Sequence, residues 1–127
     1  MVDFSAELGV QSLYFDLIKK GMKTVEGRIA KDKYRRLCPG EIIRFYDQDH
    51  NQNKEIKIQG LNFLEAHIIS IEYFTSFSQM LTYYGVKNCL PGVKNLEKAL
   101  EIYHSFPGYQ SEAEKLGVLG IEIKIVN

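Results

Sequence analysis

The spacing of apolar residues changes from helical to alternating within the first 30 residues, and this change constrains the fold more than any other feature. Apolar residues at positions 10, 13, 14, 17 and 18 share one face of a helix. Gly21 follows them, where a glycine commonly ends a helix. Residues 23–30 then alternate, with Val25 and Ile29 on the apolar face. The sequence therefore predicts a helix followed directly by a strand.

Later segments continue the mixture of strands and helices. All three prolines precede a glycine, which places each of them at a turn. Ser76 with Gln79 three positions later is a capping-box pattern, and Gly85 can end the helix that it begins. We predict strands over residues 42–46, 55–58, 64–74 and 118–126, a hairpin loop over 47–53, helices over 76–84 and from 95, and a short helical turn at 111–114.

This order of elements predicts an α+β fold in one domain that spans residues 1–127. The sheet is expected to curl into a small β-barrel of about five to six mostly antiparallel strands, with about three to four flanking helices. The final strand would close the barrel by returning to the first strands. A chain of 127 residues can bury such a core without disulfides or a metal.

Composition restricts the cell compartment and the cofactors. Cys38 and Cys89 stand far apart, which favours reduced thiols, and no apolar run approaches the ~20 residues of a membrane span. We therefore predict a soluble, cytoplasmic protein without membrane contact. His50, His67 and His104 share no ligand spacing, so no metal site and no cofactor are predicted.

Charge is unevenly distributed although the net charge is zero. Residues 19–44 hold nine basic and three acidic side chains, and the remainder holds seven basic and thirteen acidic ones. A local excess of this kind attracts phosphate groups, whereas the alternative is a solvated face without a partner.

The polar face of the first strong strand carries the candidate site. Glu26 and Arg28 are two residues apart and project to the same side, with Thr24 alongside and Lys23 at the entrance. Arginine offers a planar fork to phosphate or a base edge, and glutamate accepts from an exocyclic amine or a base N–H. A surface salt bridge worth about 0–1 kcal/mol, with no function, is the alternative.

Residues 21–28, which read Gly-Met-Lys-Thr-Val-Glu-Gly-Arg, resemble the Gly-x-Lys-x-x-Glu-x-Arg signature of ASCH domains, a family of small PUA-like barrels. The resemblance continues through the helix before this motif and through residues 33–43, 76–81, 90–92, 103–106 and 117–122, and so covers nearly the whole chain.

The resemblance implies an RNA- or nucleotide-binding protein that acts in RNA metabolism or the control of gene expression. Its cleft would be lined by Lys23, Glu26 and Arg28 and would be similar to the RNA-binding groove of PUA domains. Lys33 and Arg35, in the basic run after the motif, would continue the track for a phosphate backbone. Tyr34 would stack on a base.

Two other classes of function stay open. Some ASCH-like proteins are amidohydrolases of acetylated cytidine that use a lysine, a threonine and a carboxylate, and others are ribonucleases. Lys23 matches the lysine, but Glu26 stands where the threonine is expected, and Thr24 lies two residues earlier. The catalytic residues of such a hydrolase would be Lys23, Glu26 and Thr24. A protein-interaction module with a basic surface is the second alternative.

Aromatic residues outside the motif are interpreted mainly as core. This applies to Tyr73, Phe74, Phe77, Tyr83, Tyr84, Tyr103, Phe106 and Tyr109. For Tyr103, Phe106 and Tyr109, the alternative interpretation is that they line the cleft. Gly27 and Gly120 interrupt strands, where a missing side chain permits a bulge or the close approach of a ligand.

Overall fold

A computed structural model describes residues 4–49 and 63–126 of the protein. Its strands are β1 (Ala6–Val10), β2 (Val25–Ile29), β3 (Ile42–Asp47), β4 (Phe63–Phe74) and β5 (Val118–Ile125). Its helices are α1 (Ser12–Lys19), α2 (Asp32–Arg35), α3 (Phe77–Tyr84), α4 (Val86–Cys89), α5 (Leu96–Ser105) and α6 (Tyr109–Leu116). None of the helices in these two ranges is long and apolar enough to cross a membrane.

The strands form one curled half-barrel sheet in the order β1-β3-β4-β5-β2. The β1–β3 pair is parallel and the other three pairs are antiparallel. The prediction of an α+β fold with a small, mostly antiparallel barrel is therefore confirmed. Strand β1 was not predicted, because its five residues run directly into the helical pattern. The predicted strand over residues 55–58 lies outside the described residues.

Local sequence signals explain where two of the helices begin. The Ser76 hydroxyl accepts from the backbone N–H of Gln79 at 3.2 Å and caps α3. The Gln79 side chain accepts from the backbone N–H of Thr75, one residue before the position that the capping box predicts. Asn95 caps α5 by accepting from the N–H of Lys98 at 2.9 Å. The helices predicted at residues 76–84 and from 95 are thus confirmed.

Two apolar clusters lie on either side of the sheet. One joins α1 to the barrel interior, where Ile43 and Phe45 are fully buried. The other packs α3, α5 and α6 against β2, with Phe77 and Met80 at its centre. Strand β2 is therefore covered by helices on one side, and this packing positions the motif residues that follow Lys23.

Gly27 and Gly120 face each other in the β2–β5 register, and both are needed for helix packing. A Cβ on Gly27 would lie 2.8 Å from the Met80 side chain, and one on Gly120 would overlap the ring of Tyr84. Side chains of α3 therefore approach both glycines closely. The register shift lies elsewhere, between Ile68 and Ser70 on β4.

The prediction of a buried aromatic group holds only in part. Phe77 is fully buried, but the side chains of Tyr73 and Tyr83 are 50% and 64% exposed, so their assignment to the core was wrong. Tyr73 points outward from β4, where the Arg35 guanidinium lies 5.0 Å from its ring. Both tyrosines keep a polar end that water can reach, which makes exposure inexpensive.

Candidate functional site

A cleft of about 240 Å³ lies where the two edge strands of the sheet, β1 and β2, come together. Its lining includes Gly9 and Val10 at the end of β1, and Lys23, Glu26 and Arg28 on and before β2. Side chains of α1, α5 and α6 complete the wall. The structure thus brings the three charged residues of the predicted site into one partly enclosed space.

The Lys23 ammonium is buried at the base of this cleft. Its Nζ donates to the backbone carbonyls of Val25 at 2.7 Å and Cys89 at 2.6 Å, and it lies 3.5 Å from Glu26 Oε1. Burial lowers the pKa of Lys23, although the Glu26 charge acts in the opposite direction. Because an ammonium has three N–H groups, these contacts use all of them. Lys23 therefore holds the end of α4 and the Glu26 carboxylate in place.

Glu26 lies between the two cations. Its side chain is 8% exposed, and its Oε2 accepts from Arg28 Nε at 2.7 Å. Burial would raise the pKa of Glu26, but the Arg28 and Lys23 charges outweigh it and hold that pKa below its ordinary value. The carboxylate is thus ionised at neutral pH and acts only as an acceptor.

Arg28 connects the two edges of the sheet. Its Nη2 donates to the carbonyl of Gly9 on β1 at 2.9 Å, while Nε donates to Glu26. Burial opposes the charged form, but the Glu26 carboxylate overrides it and raises the pKa of Arg28. The side chain is 14% exposed, and its remaining N–H groups are those that can face a ligand. Arg28 is therefore both a structural bridge and a candidate binding group.

Because the pKa of Glu26 is lower in the folded protein, its contribution to stability is complete above its ordinary pKa and is lost as the pH falls through the folded value. We expect the melting temperature to fall on acidification from about pH 7 to about pH 3, and Glu26→Gln to flatten that fall. Thermal unfolding followed by circular dichroism measures both curves. Parallel curves for wild type and variant would contradict the assignment.

Aromatic side chains form the wall opposite the charged residues. Tyr14, Tyr103, Phe106 and Tyr109 line the cleft. The ring of Tyr103 stacks on Phe77, with 4.5 Å between centroids and 9° between planes. Core packing and cleft lining are therefore combined at Tyr103. A wall of flat rings beside hydrogen-bonding groups suits a planar, polar ligand.

This geometry can be compared with known proteins. The chain matches the ASCH domain family over residues 8–127. It belongs to the ASCH domain family. It is also similar to the hypothetical protein PH0355, known from a crystal structure, with 34% identity, 95% of this chain and 98% of that chain covered, and a TM-score of 0.78.

A second similar structure is the solution NMR structure of protein PF0455 from Pyrococcus furiosus, with 31% identity, 95% and 96% coverage and a TM-score of 0.70. No curated protein matches the chain. The resemblance inferred from the motif is therefore confirmed at the level of the family.

The other predicted site residues of this ASCH domain lie away from the cleft lining. Thr24 lines a second cavity, which Lys23 also borders, and does not line the cleft. Lys33 is exposed, with its Nζ 4.9 Å from the ring of Tyr34. Arg35 donates to the carbonyls of Ala30 at 2.8 Å and Leu116 at 3.1 Å. Of these, Lys33 is the exposed cation that an outer phosphate track would use.

Tyr34 is not open for base stacking in this ASCH domain. Its side chain belongs to the barrel core and is 8% exposed, with Arg28 6.0 Å from its ring. Two of the four aromatic residues that line the cleft, Tyr103 and Phe106, belong to the block of residues 103–106 that matches the family pattern. That block was the sequence signal for them, but helical spacing made core packing the preferred interpretation.

Metal-ligating groups do not cluster in the parts of the chain that the structure describes: no set of three or more His, Cys, Asp or Glu side chains lies close enough to hold an ion. Cys89 is buried, and burial raises the pKa of its thiol to about 11. At neutral pH this thiol is protonated, and it packs as a small apolar group in the apolar cluster that contains Phe77 and Met80.

Proposed function

We propose that this ASCH domain protein binds single-stranded RNA or a nucleotide-like ligand, with one base in the cleft beside Glu26 and Arg28. The observation that carries the proposal is the buried Lys23–Glu26–Arg28 cluster set opposite aromatic rings in one cavity. Charged groups are rarely buried without a structural or functional reason, and perturbed carboxyl and amine groups in a cleft are typical of functional sites.

The chemistry of the cleft fits a base better than a bare anion. Glu26 presents a carboxylate that accepts from N–H groups, and Arg28 presents the N–H groups that its two internal hydrogen bonds leave over. A base offers donors and acceptors on one edge and flat faces for the rings of Phe106 and Tyr109. Lys23 supports this arrangement by keeping Glu26 charged.

Phosphate groups of the same ligand would remain outside the cleft. Lys31 and Lys33 are exposed after β2, and Lys31 Nζ lies 3.8 Å from Glu112 Oε1 at the first turns of α6. Tyr109 starts α6 and lines the cleft, so this basic segment and the cleft are connected through one helix. An exposed lysine segment of this kind gives affinity that falls with salt.

Fluorescence anisotropy with a labelled single-stranded RNA of about twelve nucleotides tests the proposal. Phe106→Ala removes one ring from the cleft, and because base stacking is worth about 1–3 kcal/mol we expect roughly fivefold to a hundredfold weaker binding. Arg28→Ala removes the donor fork and should weaken binding at least about tenfold. Affinity of the wild type should also fall as salt is raised.

Lys98→Ala is the matched control for charge, because Lys98 is 64% exposed on α5 and does not line the cleft. It should bind RNA like the wild type. Far-UV circular dichroism verifies that each variant is folded. Equal binding by wild type, Phe106→Ala and Arg28→Ala, with no dependence on salt, would refute the proposal.

Geometry gives the two alternative functions less support. An amidohydrolase of the kind that the resemblance suggests needs a lysine and a threonine in the same site, whereas Thr24 does not line the cleft and the Lys23 ammonium has all three N–H groups engaged. A protein-interaction module would use the exposed basic residues. That function would give the buried charge cluster no role. Neither alternative is proposed.

A further inference from the structure

The hydroxyl group of Tyr103 is a buried polar group that the fold does not satisfy. Tyr103 is 3% exposed, and its hydroxyl oxygen has no hydrogen-bond partner among the described residues. Buried polar groups are almost always hydrogen-bonded, because burial without a partner is costly. The unpaired hydroxyl of Tyr103 therefore needs an explanation.

Packing prevents this hydroxyl from turning to another partner. The Tyr103 ring stacks on Phe77, and Phe106 contacts it edge-on, with 6.1 Å between centroids and 90° between planes. A Cβ on Gly27 would lie 3.2 Å from the same ring. The ring is therefore held on several sides, which fixes the position of its hydroxyl oxygen, and Tyr103 lines the same cleft as Glu26.

We propose that the Tyr103 hydroxyl donates a hydrogen bond to an acceptor on the ligand and, together with the Glu26 carboxylate, selects a base edge that carries a donor and an acceptor. This inference rests on the proposed function and names the chemistry of the ligand group that enters the cleft. A phosphate carries no N–H for Glu26 and would meet its negative charge, so it is excluded from this end.

The ionisation of both groups agrees with these roles. Burial raises the pKa of Tyr103 far above its ordinary value, and the Glu26 charge acts in the same direction, so the hydroxyl keeps its proton. Glu26 is held ionised and can only accept. Because the Tyr103 hydroxyl is buried and has no partner among the described residues, a ligand acceptor that reaches it gains a hydrogen bond without displacing an existing one.

Tyr103→Phe tests the inference, and Tyr84→Phe is its matched control. The Tyr84 hydroxyl donates to the carbonyl of Gly120 at 3.2 Å and does not line the cleft. We expect Tyr103→Phe to keep or raise the melting temperature, because it removes an unpaired buried hydroxyl, and Tyr84→Phe to lower it. Isothermal titration calorimetry with adenosine, cytidine, guanosine, uridine and inorganic phosphate then measures binding.

At least one nucleoside should bind the wild type and inorganic phosphate should not compete with it. Tyr103→Phe should weaken the binding of that nucleoside by about fivefold to fiftyfold, and Tyr84→Phe should leave its affinity unchanged. Equal affinity in Tyr103→Phe and wild type overturns this inference alone and leaves the proposed function intact. A marked loss of melting temperature in Tyr103→Phe also overturns it, since the hydroxyl would then have a partner in the fold. Failure of the RNA and of every nucleoside to bind removes both proposals.

Discussion

Glu26→Gln will lower the free energy of unfolding by about 3–5 kcal/mol. The carboxylate is the shared counter-charge of two cations, Lys23 at 3.5 Å and Arg28 at 2.7 Å. Glutamine has nearly the same shape but no charge, so both cations would stay buried without compensation. A buried charge that loses its partner costs several kilocalories per mole, and here one substitution affects two of them.

Urea denaturation followed by fluorescence or circular dichroism measures this loss as a lower midpoint with an unchanged slope. Glu114→Gln is the control, because Glu114 is an exposed glutamate on α6, and its effect should stay within about 0.5 kcal/mol. In the double variant Lys23→Met with Glu26→Gln, the loss should be smaller than the sum of the two single losses. A Glu26→Gln protein as stable as Glu114→Gln would show that the cluster does not support the fold.

Gly117→Ala will destabilise the protein by about 2–5 kcal/mol for two separate reasons. Gly117 has φ 77° and ψ −172°, a backbone region that only glycine adopts readily. A Cβ there would also overlap the hydroxyl end of Tyr73. Gly117 joins α6 to β5, and its carbonyl accepts from the N–H of Ala30 at 3.0 Å, so strain at this residue disturbs the β2–β5 edge that carries the site.

Two comparisons separate the backbone cost from the overlap. Gly40 has φ 92° but no atom within 4 Å of its Cβ position, so Gly40→Ala should cost only about 1–2 kcal/mol. Introducing Gly117→Ala into a Tyr73→Ala background should remove the overlap and reduce the loss. If Gly117→Ala and Gly40→Ala have equal effects on the urea midpoint, the contact with Tyr73 is not a constraint.

Periodicity was a good guide to the elements because the signals are local. The alternation after Gly21 gave β2, and the caps Ser76 and Asn95 marked the starts of α3 and α5. Strand β1 was not predicted, because an edge strand of five residues carries too short an alternation before the helical period begins. The exposure of Tyr73 and Tyr83 was not predicted either. Spacing shows which residues share a face, but it does not show whether another element covers that face.

The motif also predicted which charged residues share the cleft, but not how their hydrogen bonds are distributed. Lys23 was predicted to line the cleft, and in the structure its N–H groups also reach the carbonyls of Val25 and Cys89. The second of these contacts joins residues 66 positions apart, which no local pattern encodes. Thr24 was expected beside Glu26, and it lines another cavity because it precedes the regular alternation of β2.

The sequence by itself determined the family, from motif blocks spread over nearly the whole chain. It also determined the order of most helices and strands and the identity of the Lys23, Glu26 and Arg28 cluster, because these depend on residue types within about ten positions of each other. Only the tertiary structure decided that Arg28 joins the two sheet edges at Gly9 and that Tyr103 stands in the same cleft with an unpaired hydroxyl. Those facts arise when the sheet curls and α5 packs against Gly27, which brings together side chains that the sequence keeps apart.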